Sequence, residues 1–359
     1  MLRKNAFVFF LILFLSLTGK IAAQDKSADE VIKIETTLVS VPVIVSDRQG
    51  RYVPNLAAKD FTLYDNGAKR DIEFFAATEE PLNVALLIDT SQSTREVLDE
   101  IKDSALEFIK LLQPQDRAMI VSFDYQTRVL SALTSDREQL RRAVRQAEIG
   151  ERFGTTLREA IDETINESFA KIKGRKAIIL LTDGKNAGSD ISEDELLYAL
   201  EESDTLVYPV FYQTGRAFNQ NNRNQTQFPR GGGRRGGVFG GRFPRGGGQF
   251  PPFPRNPNGG GNTRRRERVE RKNAEAADIL QQIADTTAGR FYRGEVTDLN
   301  KTFALIVEEL RRQYRLGFYP QDADDDDTTL RELKVQVNRP DITVRARRNY
   351  RLQSQSESK

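Results

Sequence analysis

The chain has no cysteine, no histidine, no tryptophan and only two methionines in 359 residues. Without thiols there are no disulfide staples and no thiolate-held haem or iron–sulfur cluster. Without His or Cys the usual zinc sites are excluded, as are Ser-His-Asp and Cys-His nucleophiles. Chemistry must run on carboxylates, hydroxyls, Lys, Arg or Tyr, which disfavours most hydrolytic enzymes. A strong net charge is also lacking, since 54 Lys+Arg against 52 Asp+Glu leave +2. The balance hides an asymmetry: from Arg216 to Lys272, thirteen Arg and one Lys face only Glu267 and Glu270, a local +12 against −10 elsewhere. Hydrophobic residues at 38% and charged residues at 30% suit a soluble chain with a sizeable core. The length fits two or three domains.

Only one long apolar run is present, Ala6 to Leu17, preceded by Arg3 and Lys4 and followed by Ile21-Ala22-Ala23-Gln24. This is the tripartite form of a secretory signal peptide, 1–23, with cleavage expected after Ala23. A retained anchor is the alternative, although the run is short for a spanning helix. The expected mature chain has no membrane span and is exported to the periplasm, the cell surface or the medium. It would rely on its core and bound ligands rather than on disulfides.

After a polar, flexible leader (24–35), residues 36–80 alternate in β fashion, with strands expected at 37–45, 61–64 and 72–75. Asp65-Asn66-Gly67 reads as a hairpin turn. From Leu82 the rhythm changes to strand–helix alternation. Val84–Ile88 and Ala177–Leu181 are near-continuous apolar runs, as in strands buried on both faces. Helices are expected over 95–112, after Ser135-x-x-Glu138, after Thr156-x-x-Glu159 and after Ser192-x-x-Glu195, each of these three a capping box. Further strands fall at 118–123, 127–133 (an edge) and 206–211. The pattern is an α/β, doubly wound, mostly parallel sheet. Residues 215–271, rich in Arg, Gly, Pro and Asn, read as a disordered insertion. Helical periodicity returns at 273–288, capped by Gly289, and a helix over 298–312 follows a strand at 291–292. Residues 313–351 end the chain in β, at 315–319, 333–337 and 342–346, before a tail at 352–359. Each β-rich end has too few strands to stand alone, so both are expected to form one β-sandwich with the α/β unit inserted between its halves.

Asp89-Thr90-Ser91-Gln92-Ser93 stands directly after the first buried strand and Thr182-Asp183-Gly184 after another, with Gly154-Thr155-Thr156 opening a helix between them. In an open parallel sheet such loops converge outside the carboxyl ends of the strands. Asp89, Ser91 and Ser93 can point to one side of an extended turn. The candidate donors Asp89, Ser91, Ser93, Thr155 and Asp183 are two carboxylates and three hydroxyls, all oxygen, which suits a hard cation such as Mg²⁺ or Mn²⁺.

Those residues resemble the von Willebrand factor type A domain with the metal-ion-dependent adhesion site of integrin I domains: Asp-x-Ser-x-Ser at 89–93, a distant Thr at 155, and Asp183 in Thr-Asp-Gly. The resemblance covers 82–312 apart from the basic insertion. It implies that the five residues contact a metal, some through water, and that an acidic side chain of a partner protein completes the octahedron. The flanks are similar to an exported bacterial group first described in acidobacteria, on Val45-Ser46-Asp47 with Gly50, Asp60-Phe61 and Tyr314–Pro320.

Binding is therefore expected rather than catalysis: an exported, metal-dependent adhesion module whose protein ligand presents Asp or Glu. A structural scaffold subunit of an envelope complex with a stabilising metal is the alternative, and a metal-dependent hydrolase ranks last, as no general base stands outside the metal shell and no phosphate-cradling turn follows the first strand. The basic insertion fits an anionic surface or polysaccharide better than nucleic acid.

Overall fold

A computed structural model describes residues 38–77, 80–212, 260–320 and 329–352. The signal segment, the leader, most of the basic insertion and the acidic stretch 322–327 lie outside the described residues.

The central sheet is built on β5 (Leu82–Asp89), whose eight residues are all buried. It pairs in parallel with β6 (Arg117–Phe123) and β8 (Arg175–Thr182). Outward from β8 lie β9 (Leu206–Tyr212) and β10 (Tyr292–Gly294), both parallel, while β7 (Thr127–Thr134) closes the other edge antiparallel to β6. The strand order β10-β9-β8-β5-β6-β7 reverses direction at β5. The carboxyl ends of β5 and β8 thus flank the switch point, where ligands of such sheets sit.

Pleating sends Val84, Leu86 and Ile88 to one face, against α1 (Leu98–Leu111), α2 (Arg137–Gln146) and α6 (Leu299–Arg311). Ala85 and Leu87 face α3 (Leu157–Glu163), α4 (Glu193–Glu202) and α5 (Gly260–Thr287). Both faces are covered by apolar helix stripes, which explains why the strands carry no polar alternation.

The two β-rich ends share one core. β1 (Val39–Asp47) lies between β11 (Tyr314–Phe318) and β13 (Ile342–Ala346), with β4 (Phe74–Ala77) beyond β11. The facing sheet runs β14-β12-β2-β3, from Asn349–Tyr350, Arg331–Val337, Phe61–Asp65 and Ala68–Arg70. Val41, Val43 and Val45 pack with Leu63, Tyr314, Leu316, Phe318 and Tyr350 between the sheets. Tyr314 is central: its hydroxyl donates to Val53 O at 2.9 Å, accepts from Leu56 N at 3.2 Å, and its ring packs on Tyr52, Phe61 and Phe75. Arg347 ties this sandwich to the α/β unit, donating to Ser40 O and Ser203 O, both at 2.9 Å.

Several local expectations are corrected. The Asn66-Gly67 turn forms, with φ of 47° and 78°, but the strand it returns is Ala68–Arg70, and 74–77 crosses to the other sheet. Of the three capping boxes only Ser192/Glu195 closes in both directions. Asp136, not Ser135, caps α2, its carboxylate taking the N–H groups of Glu138 and Gln139. Thr156 donates instead to Asp124 O, and Glu159 turns to another loop. The disorder expected for 215–271 does not extend over 260–271, which is the start of α5. Ala277, Leu280, Ile283 and Ala284 anchor that helix in the core, so the nucleation cost is met there, and the good helix formers Glu267, Arg268, Glu270, Arg271 and Lys272 continue it on exposed positions. At its far end Ala288 takes the left-handed conformation, φ 61°, instead of Gly289. Gly289 serves a close approach: a Cβ there would lie 1.8 Å from Val207 O.

Candidate metal centre

The last residue of β5 is Asp89, fully buried, and its two carboxylate oxygens face different loops. Oδ1 accepts from Ser91 N at 2.9 Å, and Oδ2 accepts from Thr182 Oγ1 at 2.8 Å across to β8. Thr182 Oγ1 in turn accepts from Gly184 N at 2.9 Å. This hydroxyl fixes both the carboxylate and the turn that carries Asp183. Gly184 has φ 75°, and a Cβ there would meet Ala276 and Phe211 at 2.8 Å, so the turn requires glycine.

The Asp89–Ser93 segment is not one extended turn. Ser91 is extended and Gln92–Thr94 forms a single 3₁₀ turn, held by Thr94 Oγ1 donating to Asp89 O (3.0 Å) and Ser91 O (2.9 Å). The outcome is nevertheless convergence, with Ser91 Oγ and Ser93 Oγ 3.0 Å apart. Thr155 joins through its backbone. Its N–H donates to Ala187 O at 2.8 Å and its carbonyl accepts from Ala187 N at 3.0 Å, latching it to the loop that follows Asp183. Glu159 secures that loop, accepting from Ile191 N at 3.1 Å and from Ser189 Oγ at 2.5 Å.

Asp89 and Asp183 stand at the ends of adjacent strands. Burial, and then the Asp183 charge, push the Asp89 carboxyl up to about 7. Lys185 meets this negative charge by placing its ammonium on Asp183 Oδ2. Among the described residues no group of three or more His, Cys, Asp or Glu is arranged as a metal site. What is present is two carboxylates and neighbouring hydroxyls, a donor set of oxygen alone that could hold a hard divalent cation with room for outside ligands. Such a cation fits, because it would offset the two buried charges that now oppose each other.

The Asp89 shift has a sign. The unfolded carboxyl releases its proton near 3.8 and the folded one near 7. Its contribution to cation-free stability is thus full below the lower value and is lost as pH rises through the upper one. Melting in chelator at pH 5 and pH 7.5 should show this loss, and Asp89→Asn should shrink it. An unchanged pH slope in that variant would contradict the assignment.

Three residues with work to do here went unread in the sequence. Thr182 is the bridge between both aspartates, and its place as the last strand residue before Asp183 was the available signal. Asp124 follows β6 as the two site aspartates follow their strands. It turns aside, pairing with Arg128 and accepting from Gln126 N at 3.1 Å, while its backbone oxygen holds Thr156 N at 2.7 Å. Phe153, immediately before Gly154-Thr155, is 87% exposed. Beside it Tyr125 packs on Gly154, where a Cβ would be 3.1 Å from its ring, and Arg152 lies 5.5 Å over the same ring.

Residues 84–185 match the sequence profile of the von Willebrand factor type A domain, so the chain carries a domain of this family across its central strands and the candidate metal residues. An uncharacterized protein of Synechocystis sp. is 31% identical over 116 residues, 31% of this chain and 27% of that protein. The chain thus spans about a quarter of that relative's length. Among solved structures, an aerotolerance-related membrane protein from Bacteroides fragilis superposes with a TM-score of 0.41 at 18% identity, over 64% of this chain and 98% of that one. Proximal thread matrix protein 1 from the mussel byssus, with a zinc-occupied MIDAS motif, gives 0.44 at 13% identity over 68% and 49%. Among the described residues no helix is long and apolar enough to cross a membrane.

Proposed function

We propose that this chain is an exported, cation-dependent protein-binding module. Asp89, Ser91, Ser93, Thr155 and Asp183 hold Mg²⁺ or Mn²⁺, directly or through water, and an aspartate or glutamate of a partner protein completes the shell. The observation that carries the reading is the pair of buried carboxylates at adjacent strand ends with two hydroxyls 3.0 Å apart beside them. Binding is favoured over catalysis because Asp89 and Asp183 both serve as cation ligands in this reading, and the groups that engage them, Ser91 N, Thr182 and Lys185, are hydrogen-bond donors rather than a general base. Export rests on the signal-like segment 1–23.

The surroundings suit an acidic partner with an apolar neighbour. Arg152 and the half-exposed Lys185 supply positive charge, and Phe153 and Tyr125 supply exposed ring surface. The immobilised chain should retain its partner in magnesium and release it in chelator. Retention that ignores chelator would overturn the reading. Phe153→Ala should weaken capture about tenfold or more, as for an aromatic contact residue, while leaving cation affinity unchanged by calorimetry.

A further inference from the structure

We infer that Tyr212 is a positioning residue of the cation site, its buried hydroxyl hydrogen-bonding the hydrated side of the cation next to Asp183. The inference rests on the metal-binding reading above.

Tyr212 is the last residue of β9, fully buried, and its hydroxyl has no hydrogen-bond partner among the described residues. A phenolic O–H left unpaired in a core is destabilising and calls for an explanation. Strand geometry supplies one. In the parallel pairing of β8 with β9, Thr182 stands opposite Phe211, so one further step brings Asp183 level with Tyr212 on a strand about 4.8 Å away. The pleat also agrees. Leu181 and Val210 lie in the same core as Tyr212, and the period of two carries Asp183 to that face. Burial, and the charges of Asp89 and then Asp183, push the phenol well above its usual range, in keeping with a ring held close to both carboxylates. A phenol so placed finds no hydrogen-bond partner among the described residues, whereas water bound to a cation between the aspartates would donate a hydrogen bond to its oxygen. Outer groups of this kind orient a metal's ligands, and losing one costs about 10–100-fold in affinity.

The same strand provides a control. Tyr208 lies four residues earlier on the same face and is equally buried, with Glu309 as the hydrogen-bonding neighbour of its hydroxyl. The charges around it are Glu309 and Arg345 instead of the site aspartates.

The test is Mg²⁺ titration of the full chain by calorimetry, with melting in chelator measured alongside. Tyr212→Phe should lose about tenfold in Mg²⁺ affinity while melting in chelator at or above the wild-type temperature, since it removes only an unpaired group. Tyr208→Phe should keep wild-type affinity. Wild-type affinity in Tyr212→Phe, or an equal loss in Tyr208→Phe, would overturn the role of Tyr212 and leave the metal site standing. A Tyr212→Phe chain that melts lower in chelator would assign the hydroxyl to the fold and overturn it too. A wild-type chain that takes up no cation would overturn both readings.

Discussion

Asp89→Ala and Asp183→Ala should each reduce Mg²⁺ affinity on the order of a hundredfold or more, because each removes one of the two charges available to offset the cation. The two variants should differ in chelator. Asp89→Ala strips the acceptor from Ser91 N and Thr182 Oγ1, two buried donors, at a cost of about 1–3 kcal/mol each. Asp183→Ala instead relieves Asp89 of the neighbouring charge, which should lower the Asp89 pKa and cost the cation-free chain little. Both should keep their secondary structure, since the substituted positions cap the sheet at its carboxyl edge. Calorimetry that finds unchanged affinity in Asp89→Ala would remove the metal site as described.

Asp65→Ala should destabilise the chain by about 3–5 kcal/mol, the usual consequence of breaking a buried ion pair. Asp65 is fully buried in β2. It accepts from Arg331 Nε at 3.1 Å and Nη2 at 2.9 Å, from Tyr350 Oη at 3.0 Å and from Arg70 Nε at 3.3 Å. One carboxylate from the start of the chain thus neutralises groups from its end, and removing it takes the buried Asp65 charge and its hydrogen bonds away from Arg331, Tyr350 and Arg70. Replacing the pair together, Asp65→Leu with Arg331→Met, should recover much of the loss, because well-packed apolar groups often match a buried pair. Denaturant unfolding of the three chains reads this directly. Equal stability of Asp65→Ala and wild type would mean that water or another anionic group already compensates Arg331.

The central sheet was legible because Val84–Ile88 and Ala177–Leu181 are apolar without alternation, a pattern that only strands covered on both faces need. The candidate site followed from it, since Asp89 stands one step and Asp183 two steps past such a run. The order of the outer strands was harder. Phe74 and Phe75 look like the return arm of the Asn66-Gly67 hairpin, yet they pair with β11 from the far end of the chain. A local pattern cannot encode which of two distant strands will offer the better edge. Capping was misread for a related reason: Ser135 and Thr156 have suitable partners in sequence, but Asp136 and the Asp124 carbonyl compete for the same hydrogen bonds. Tyr212 gave no sign of its surroundings, because one tyrosine at the end of an apolar strand is ordinary core until its neighbours are known.

The position of β1 between β11 and β13 bears on how the protein is made. Val39 pairs with Phe318, so at a ribosomal rate of about 5–20 residues per second the first strand waits about 15–55 s for its neighbour to be synthesised. During that interval Val39, Val41, Val43 and Val45 have only the short β2–β3 hairpin to face, and both strand edges are open to other chains. The α/β unit, whose strands and helices follow one another closely, can assemble while β1 waits. Newly made protein should therefore be most prone to aggregation just before β11 and the strands after it emerge, the window in which a holdase chaperone would matter most.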